Sequence, residues 1–209
     1  MNREEFRSAV LSRVERAGIA VQERVLESLL GYVDLLRRWN RTINLTALSL
    51  EPPTDDAIDR LLVEPLVVAE RLGIAQGRWF DLGSGGGSPA IPIKLAIPDL
   101  SLTMVESKER KVAFLRETVR ELDLKHADVS NARFEALSRA AGLSGTADLV
   151  TARAVRVDEP FLTLCSFLLK AGGLLALVGY AGSEPPGFQG DPQSSFFRRI
   201  VPRGTIPSA

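Results

Sequence analysis

Phe80-Asp81-Leu82-Gly83-Ser84-Gly85-Gly86-Gly87-Ser88-Pro89 is the stretch that decides how this chain is read. An acidic residue ends a short apolar run, and Gly83, Gly85 and Gly87 follow at spacing two. Glycine reaches φ > 0 without strain and, lacking a Cβ, lets backbone come close to a ligand. A parallel sheet offers its first turn to a nucleotide-like ligand in this way. Glu106, closing the next apolar run, is placed to accept hydrogen bonds from a ribose. The pattern is D-x-G-x-G-x-G. It differs from the dinucleotide fingerprint G-x-G-x-x-G, and no G-K-[ST] follows it. A carboxylate at Asp81 repels a pyrophosphate and suits a ligand that carries an amine. S-adenosylmethionine has an amino-acid tail, a sulfonium, a ribose and no phosphate, so it is the expected cofactor. A nicotinamide dinucleotide and a plain glycine-rich surface turn are the alternatives.

Working outward, residues 79–82 read as a strand, and a helix runs through Ile93, Lys94, Leu95 and Ala96. A strand over 100–106 precedes a helix over 110–122, with Val112, Leu115 and Val119 aligned. Residues 127–134 form a weaker strand and 148–151 another. An apolar helix over 159–170 ends in Ala171-Gly172-Gly173, and 174–178 is a buried strand. Such alternation implies an α/β fold with a mostly parallel, doubly wound, Rossmann-like sheet. The Gly- and Pro-rich stretch 182–192 reads as a loop, and 196–201 as a last strand.

Ahead of the turn the period is helical. Phe6, Val10, Leu11 and Val14 recur on one face, then Val25, Leu29, Tyr32, Leu36 and Trp39. Glu51-Pro52-Pro53-Thr54 breaks the pattern and starts a third helix through Leu61, Leu62, Leu66 and Val67, which Gly73 can end. The expected organisation is a helical N-terminal cap over 1–75 and a Rossmann-like domain over 76–209.

Composition narrows the function classes. The 26 basic and 26 acidic residues of the 209-residue chain cancel. That balance argues against a non-specific nucleic-acid binder, which needs a basic field, but leaves room for a structured RNA met through a local patch. One cysteine, Cys165, and one histidine, His126, exclude an internal disulfide and a multi-Cys or multi-His metal site. The first residues carry no apolar signal region, and no run of about 18 apolar residues is present to span a bilayer. A soluble, cytoplasmic protein without bound metal is expected.

Five segments carry a family resemblance. Trp39-Asn40 with Asn44-Leu45-Thr46-Ala47 is similar to a W-N-x-x-x-N-L-T-A segment. Residues 81–92 are similar to a D-x-G-S-G-x-G-x-P-x-I-P turn. Glu106-Ser107, Arg110-Lys111-Val112 and Phe114-Leu115 are similar to D-S-x-x-K-R-V-x-F-L, Arg133-Phe134-Glu135 to R-x-E, and Thr151-Ala152-Arg153-Ala154-Val155 to S-R-A-V. In this order they resemble the bacterial methyltransferase G (GidB) family, which modifies guanine N7 in 16S ribosomal RNA of the small subunit. The resemblance spans roughly residues 25 to 180. It implies a class I S-adenosylmethionine-dependent methyltransferase. Gly83 and Ser88, with Asp81 and Gly85 of the same turn, would hold the cofactor, Glu106 its ribose, and Phe134 and Glu135 its adenine. Arg153 would sit at the mouth, as the catalytic candidate near both cofactor and RNA. The implied partner is 16S rRNA or the small subunit, met by a monomer. Ser88, Ala90, Leu61, Glu64-Pro65 and Val178 depart from the family pattern, all near the rim expected to face RNA.

The chemistry agrees with these residues. Guanine N7 has a lone pair and no proton, so methylation needs no general base. Orientation can supply roughly 7–11 kcal/mol of the barrier. No N/D/S-P-P-Y/F motif is present for an adenine amine. Cys165 lies on an apolar helix face and reads as a packing residue, not a nucleophile. His126 reads as solvated and Trp39 as a core anchor. Lys108, Arg110, Lys111, Arg116 and Arg120 read by default as a solvated helix face. With Arg37, Arg38 and Arg41 they are also the candidate phosphate contacts. Two rival functions stay open: the same fold acting on a small molecule or another RNA, and a non-catalytic ribosome-assembly protein.

Overall fold

A computed structural model describes residues 3–191 and 196–199. Helices α1 (Arg3–Arg16) and α2 (Glu23–Asn40) follow the expected period. Helix α3 (Asp55–Ile58) starts where Thr54 Oγ1 accepts from the Ala57 amide at 3.2 Å. That cap satisfies one orphan donor of the first turn. The chain then runs through a π-helical turn, Asp59–Val63, into α4 (Glu64–Leu72), which Gly73 ends at φ 63°. The third predicted helix is thus broken into three pieces. The extra residue of the wide turn re-aims the carbonyls of this segment.

Strands β1 (Gly77–Leu82), β2 (Leu100–Glu106), β3 (Ala127–Asn131), β4 (Ala147–Arg153) and β5 (Leu169–Val178) are parallel neighbours. Helices α5 (Ala90–Ala96), α6 (Glu109–Glu121) and α7 (Glu159–Leu168) alternate with them. Strands β6 (Phe188–Asp191) and β7 (Phe196–Arg199) complete the sheet in the order β3-β2-β1-β4-β5-β7-β6, with β7 reversed against both neighbours.

Three sequence expectations need correcting. The helix expected to reach residue 170 stops at Leu168, because Leu169 already pairs with Ala147 of β4. The stretch read as a loop contains β6, because Phe188 is buried against the sheet and its backbone pairs with β7. The strand expected over 127–134 ends at Asn131, and Phe134–Arg139 forms a 3-10 turn. Residues 200 and 201 of the expected last strand lie outside the described residues.

Trp79 and Phe80 are consecutive and both buried, so they face opposite sides of the sheet. On the Trp79 side, Met104 and Phe114 share one apolar cluster with Leu29, Tyr32, Leu36, Leu62 and Leu66 of the N-terminal helices. The other side packs Phe80, Val150, Phe161, Leu164 and Phe197 beneath α7. Cys165 is fully buried there, and burial pushes its thiol pKa up, as a packing role requires. Trp39 meets Phe114 edge-on, with ring centroids 6.0 Å apart. Among the described residues no helix is long and apolar enough to cross a membrane.

Candidate cofactor and acceptor site

β1 lies between β2 and β4, so the connections from its end and from β4 diverge to opposite sides of the sheet. Ligands settle in the crevice at such a switch point. The glycine turn begins where β1 ends. Gly83 and Ser84 both donate from their amides to the Val105 carbonyl, at 2.9 and 3.1 Å. Gly83, Gly85 and Gly87 take φ of 77°, 54° and 89°. At Gly87 a Cβ would stand 2.3 Å from Ile91 Cδ1, and at Gly86 3.0 Å from the Leu45 carbonyl oxygen. These positions are held open by glycine for reasons of both conformation and space.

The N-terminal helices hold the turn from above. Tyr32, fully buried in α2, donates its hydroxyl to the Gly86 carbonyl at 2.7 Å. Burial pushes its pKa up, so it stays a donor. Asn40, at the end of α2, folds the following loop. Its Oδ1 accepts from the Leu45 and Thr46 amides at 2.9 and 3.0 Å, and its Nδ2 donates to the Thr46 carbonyl at 3.2 Å. The W-N-x-x-x-N-L-T-A resemblance therefore has a structural meaning: the asparagine lays residues 45–48 along one wall of a cleft of about 550 Å³. In the sequence Tyr32 shows only a helix-packing role. Its place among apolar neighbours gives no signal that its hydroxyl meets the turn.

Glu106 is 8% exposed at the end of β2 and lines the cleft. Its Oε2 accepts from the Gly85 amide at 3.0 Å and its Oε1 from the Lys108 amide at 2.9 Å. Each oxygen keeps a second lone pair, which leaves the carboxylate able to accept from a ligand as well. Asp81 sits behind the turn, 1% exposed, and is not on the cleft wall. Thr151 Oγ1 donates to Asp81 Oδ1 at 2.5 Å and accepts from Trp79 Nε1 at 2.9 Å. Asp81 Oδ2 has no partner among the described residues. Burial pushes the Asp81 pKa up to about 6, against the opposing pull of the Ser84 and Thr151 hydroxyls and the Arg153 charge. The buried Asp81 and the wall residue Glu106 bring two carboxylates to the glycine turn, which suits the ammonium and sulfonium of a cationic ligand, while Lys108, Lys111 and Arg153 line the same cleft.

Arg153, at the end of β4, is 14% exposed. Its guanidinium donates to Ser88 Oγ at 3.1 Å, to the Arg60 carbonyl of the π-helical turn and to Glu64 Oε2. Ser88 donates in turn to the Leu61 carbonyl at 3.0 Å. Burial lowers the Arg153 pKa, and Glu64 is the main opposing influence. The next residue, Ala154, takes φ 54°, a left-handed conformation that costs a non-glycine residue of order 1–3 kcal/mol. Gly83, Gly85, Ser88, Glu106 and Arg153 are brought together in one cleft. Phe134 and Glu135 are not on its wall. They stand on the 3-10 turn just past Asn131, the register partner of Glu106. Phe134 packs edge-on against Phe161 at 5.8 Å, and Glu135 is exposed.

Six of the eight basic candidates divide into two sets, and Arg116 donates instead to the Val129 carbonyl at 3.4 Å. Arg38 pairs with Glu117 at 2.6 Å, Arg37 with Asp34 at 3.6 Å, Arg120 with Glu121 at 2.6 Å, and Arg41 with Glu51. Lys108 and Lys111 instead line the cleft, with Lys111 Nζ 3.9 Å from where a Cβ on Gly85 would lie.

The β/α alternation, the reversed strand β7 and the acidic residue leading into a glycine turn define a class I S-adenosylmethionine-dependent methyltransferase fold. A solved S-adenosylmethionine-dependent methyltransferase from Aquifex aeolicus shares it, with a TM-score of 0.50 at 16% identity over 74% of this chain and 81% of that one. The [4+2]-cyclase SpnF also shares it, with a TM-score of 0.50 at 26% identity over 59% of this chain and 45% of that one. The fold therefore does not by itself name a reaction. The sequence narrows it, because residues 25–184 match the model for rRNA small subunit methyltransferase G, and the chain belongs to this GidB family. It is 39% identical to the ribosomal RNA small subunit methyltransferase G of Stenotrophomonas maltophilia, over 83% of this chain and 80% of the relative. The Neisseria gonorrhoeae protein of the same name is 39% identical over 78% and 77%. The Paracoccus denitrificans protein is 50% identical over 59% of this chain, a match that covers 64% of the relative.

Proposed function

We propose that this protein methylates guanine N7 in 16S ribosomal RNA of the small subunit, with S-adenosylmethionine as cofactor, acting as a cytoplasmic monomer. The observation that carries the reading is the glycine turn with Glu106 on the cleft wall and Asp81 buried behind it, in a chain of this family. Bound there, the cofactor supplies a methyl group on a sulfonium. That methyl would pass to the N7 lone pair with the S–C electrons left on sulfur, a transfer that needs no proton acceptor and leaves a positive charge on the guanine ring.

Each residue then has a task that needs no acid or base. Glu106 would accept hydrogen bonds from the ribose hydroxyls while it holds the turn in place. The buried charge of Asp81 favours the cationic cofactor over its neutral thioether product. Arg153 positions the acceptor side of the cleft against the π-helical turn. Phe134 and Glu135, on the 3-10 turn that follows the Glu106 partner Asn131, would flank the adenine from outside the wall of the cleft. Lys108, Arg110 and Lys111 meet RNA phosphates.

Small subunits from a strain lacking the gene test this directly. Incubated with the protein and cofactor, they should gain one N7-methylguanine in 16S rRNA, read by mass spectrometry. If neither subunits nor naked rRNA gain it, the assignment is wrong.

A further inference from the structure

A second hollow, of about 610 Å³, adjoins the cofactor cleft. The two share Arg60, Arg153 and Ala154 on their walls. The second hollow is lined by Val63, Val67 and Val178, with Glu64 at its edge; Asp59 also lines it, but its carboxylate pairs with Arg13 at 3.1 Å. Apolar walls with a few polar groups at one edge suit a planar heterocycle. Glu64 is anchored by Arg153, which bonds its Oε2. Among the described residues no hydrogen bond engages its Oε1, which lies 3.9 Å from where a Cβ on Gly179 would stand, on the wall of the same hollow.

We propose that this hollow is the acceptor-base pocket and that Glu64 Oε1 reads the N1–H and N2–H edge of guanine. This rests on the guanine-N7 reading above and deepens it. Guanine presents two donors on that edge, whereas adenine presents an acceptor at N1, which a carboxylate repels. N7 lies on the other side of the purine ring system. A base held by that edge at Glu64 therefore leaves N7 free of the contact. The same contact serves the reaction: the ring gains a positive charge on methylation, and a carboxylate on its N–H groups stabilises that charge more in the transition state than in the ground state. Glu64 is then a specificity-determining residue, and Arg153 a positioning residue that fixes it.

Saturation-transfer NMR with the protein bound to S-adenosylhomocysteine tests the pocket without relying on activity. The probes are GMP, IMP, which lacks the N2 amine, and AMP. Wild type should transfer saturation to GMP at least fivefold more strongly than to IMP or AMP, and Glu64→Ala should level the three. Calorimetry should show S-adenosylhomocysteine affinity unchanged by Glu64→Ala, which separates loss of the pocket from misfolding. On undermethylated small subunits, Glu64→Ala should lower kcat/KM at least tenfold. If wild type does not prefer GMP, or Glu64→Ala keeps the preference, the pocket is overturned while the methylation result above still stands. If wild type methylates no subunit but prefers GMP, the pocket stands and the reaction assignment fails.

Discussion

Asp81 is the residue at which folding and ligand binding pull in opposite directions. Burial strips solvent from the charged form of its carboxyl and pushes the pKa up from 3.8 to about 6. The folded state therefore holds the proton more tightly than the unfolded chain. The carboxyl contributes nothing to the pH dependence below about pH 4, lowers stability as pH rises from about 4 to 6, and leaves a constant cost of about 3 kcal/mol above that. Asp81→Asn should stabilise the cofactor-free protein by about 1–3 kcal/mol at pH 8, with the gain fading toward pH 4. Denaturant unfolding at several pH values reads this, and a gain independent of pH would show that the ionised carboxylate is not the cause. The same variant should bind S-adenosylmethionine more weakly. Glu106→Ala should weaken cofactor binding at least tenfold by calorimetry, about 1.4 kcal/mol. Unchanged affinity would remove Glu106 from the site. The presence of both carboxylates was legible from strand ends in the sequence. That Asp81 lies behind the wall, with Thr151 on one oxygen and no partner for the other among the described residues, was not, because Thr151 reaches it across the sheet.

At the scale of elements, the glycine turn is fixed by what surrounds it. Gly87→Ala places a methyl on Ile91 and forces φ 89° on alanine. It should cost about 2–4 kcal/mol in a thermal unfolding series, the sum of left-handed strain and overpacking. Gly142→Ala is the control: φ is 79°, with nothing within 4 Å of the new Cβ. It should cost only about 1–2 kcal/mol, the conformational part alone. Equal losses at the two sites would mean that Ile91 yields. The parallel strands and α5, α6 and α7 were readable because each is a local hydrophobic period. The π-helical turn and β6 were not. The first is defined by Arg153 and Ser88 bonding its carbonyls from other elements, and the second by pairing with β7.

For the whole molecule, the N-terminal helices and one face of the sheet share a core, so the roof of the cleft and its floor are held by the same apolar packing. The neutral net charge leaves RNA binding to local charge. Replacing Lys108 and Lys111 with alanine should reduce the slope of log affinity against log salt for small-subunit rRNA, by about 0.7 for each single-strand phosphate that is no longer neutralised. Arg38→Ala and Arg41→Ala should change it less, because carboxylates already occupy those guanidinium groups. Equal effects would mean that these pairs open on binding. The sequence by itself determined the layered α/β plan, the sulfonium-type cofactor and the family, since strand period, glycine spacing and motif order are all local properties of a chain. Only the tertiary structure decided how the site is closed. Tyr32 and Asn40 pin the turn and its wall, Arg153 ties β4 to the π-helical turn, and Asp81 Oδ2 is left without a partner among the described residues. Those facts depend on groups far apart in sequence meeting in a desolvated interior, where hydrogen-bond partners are few and each one counts.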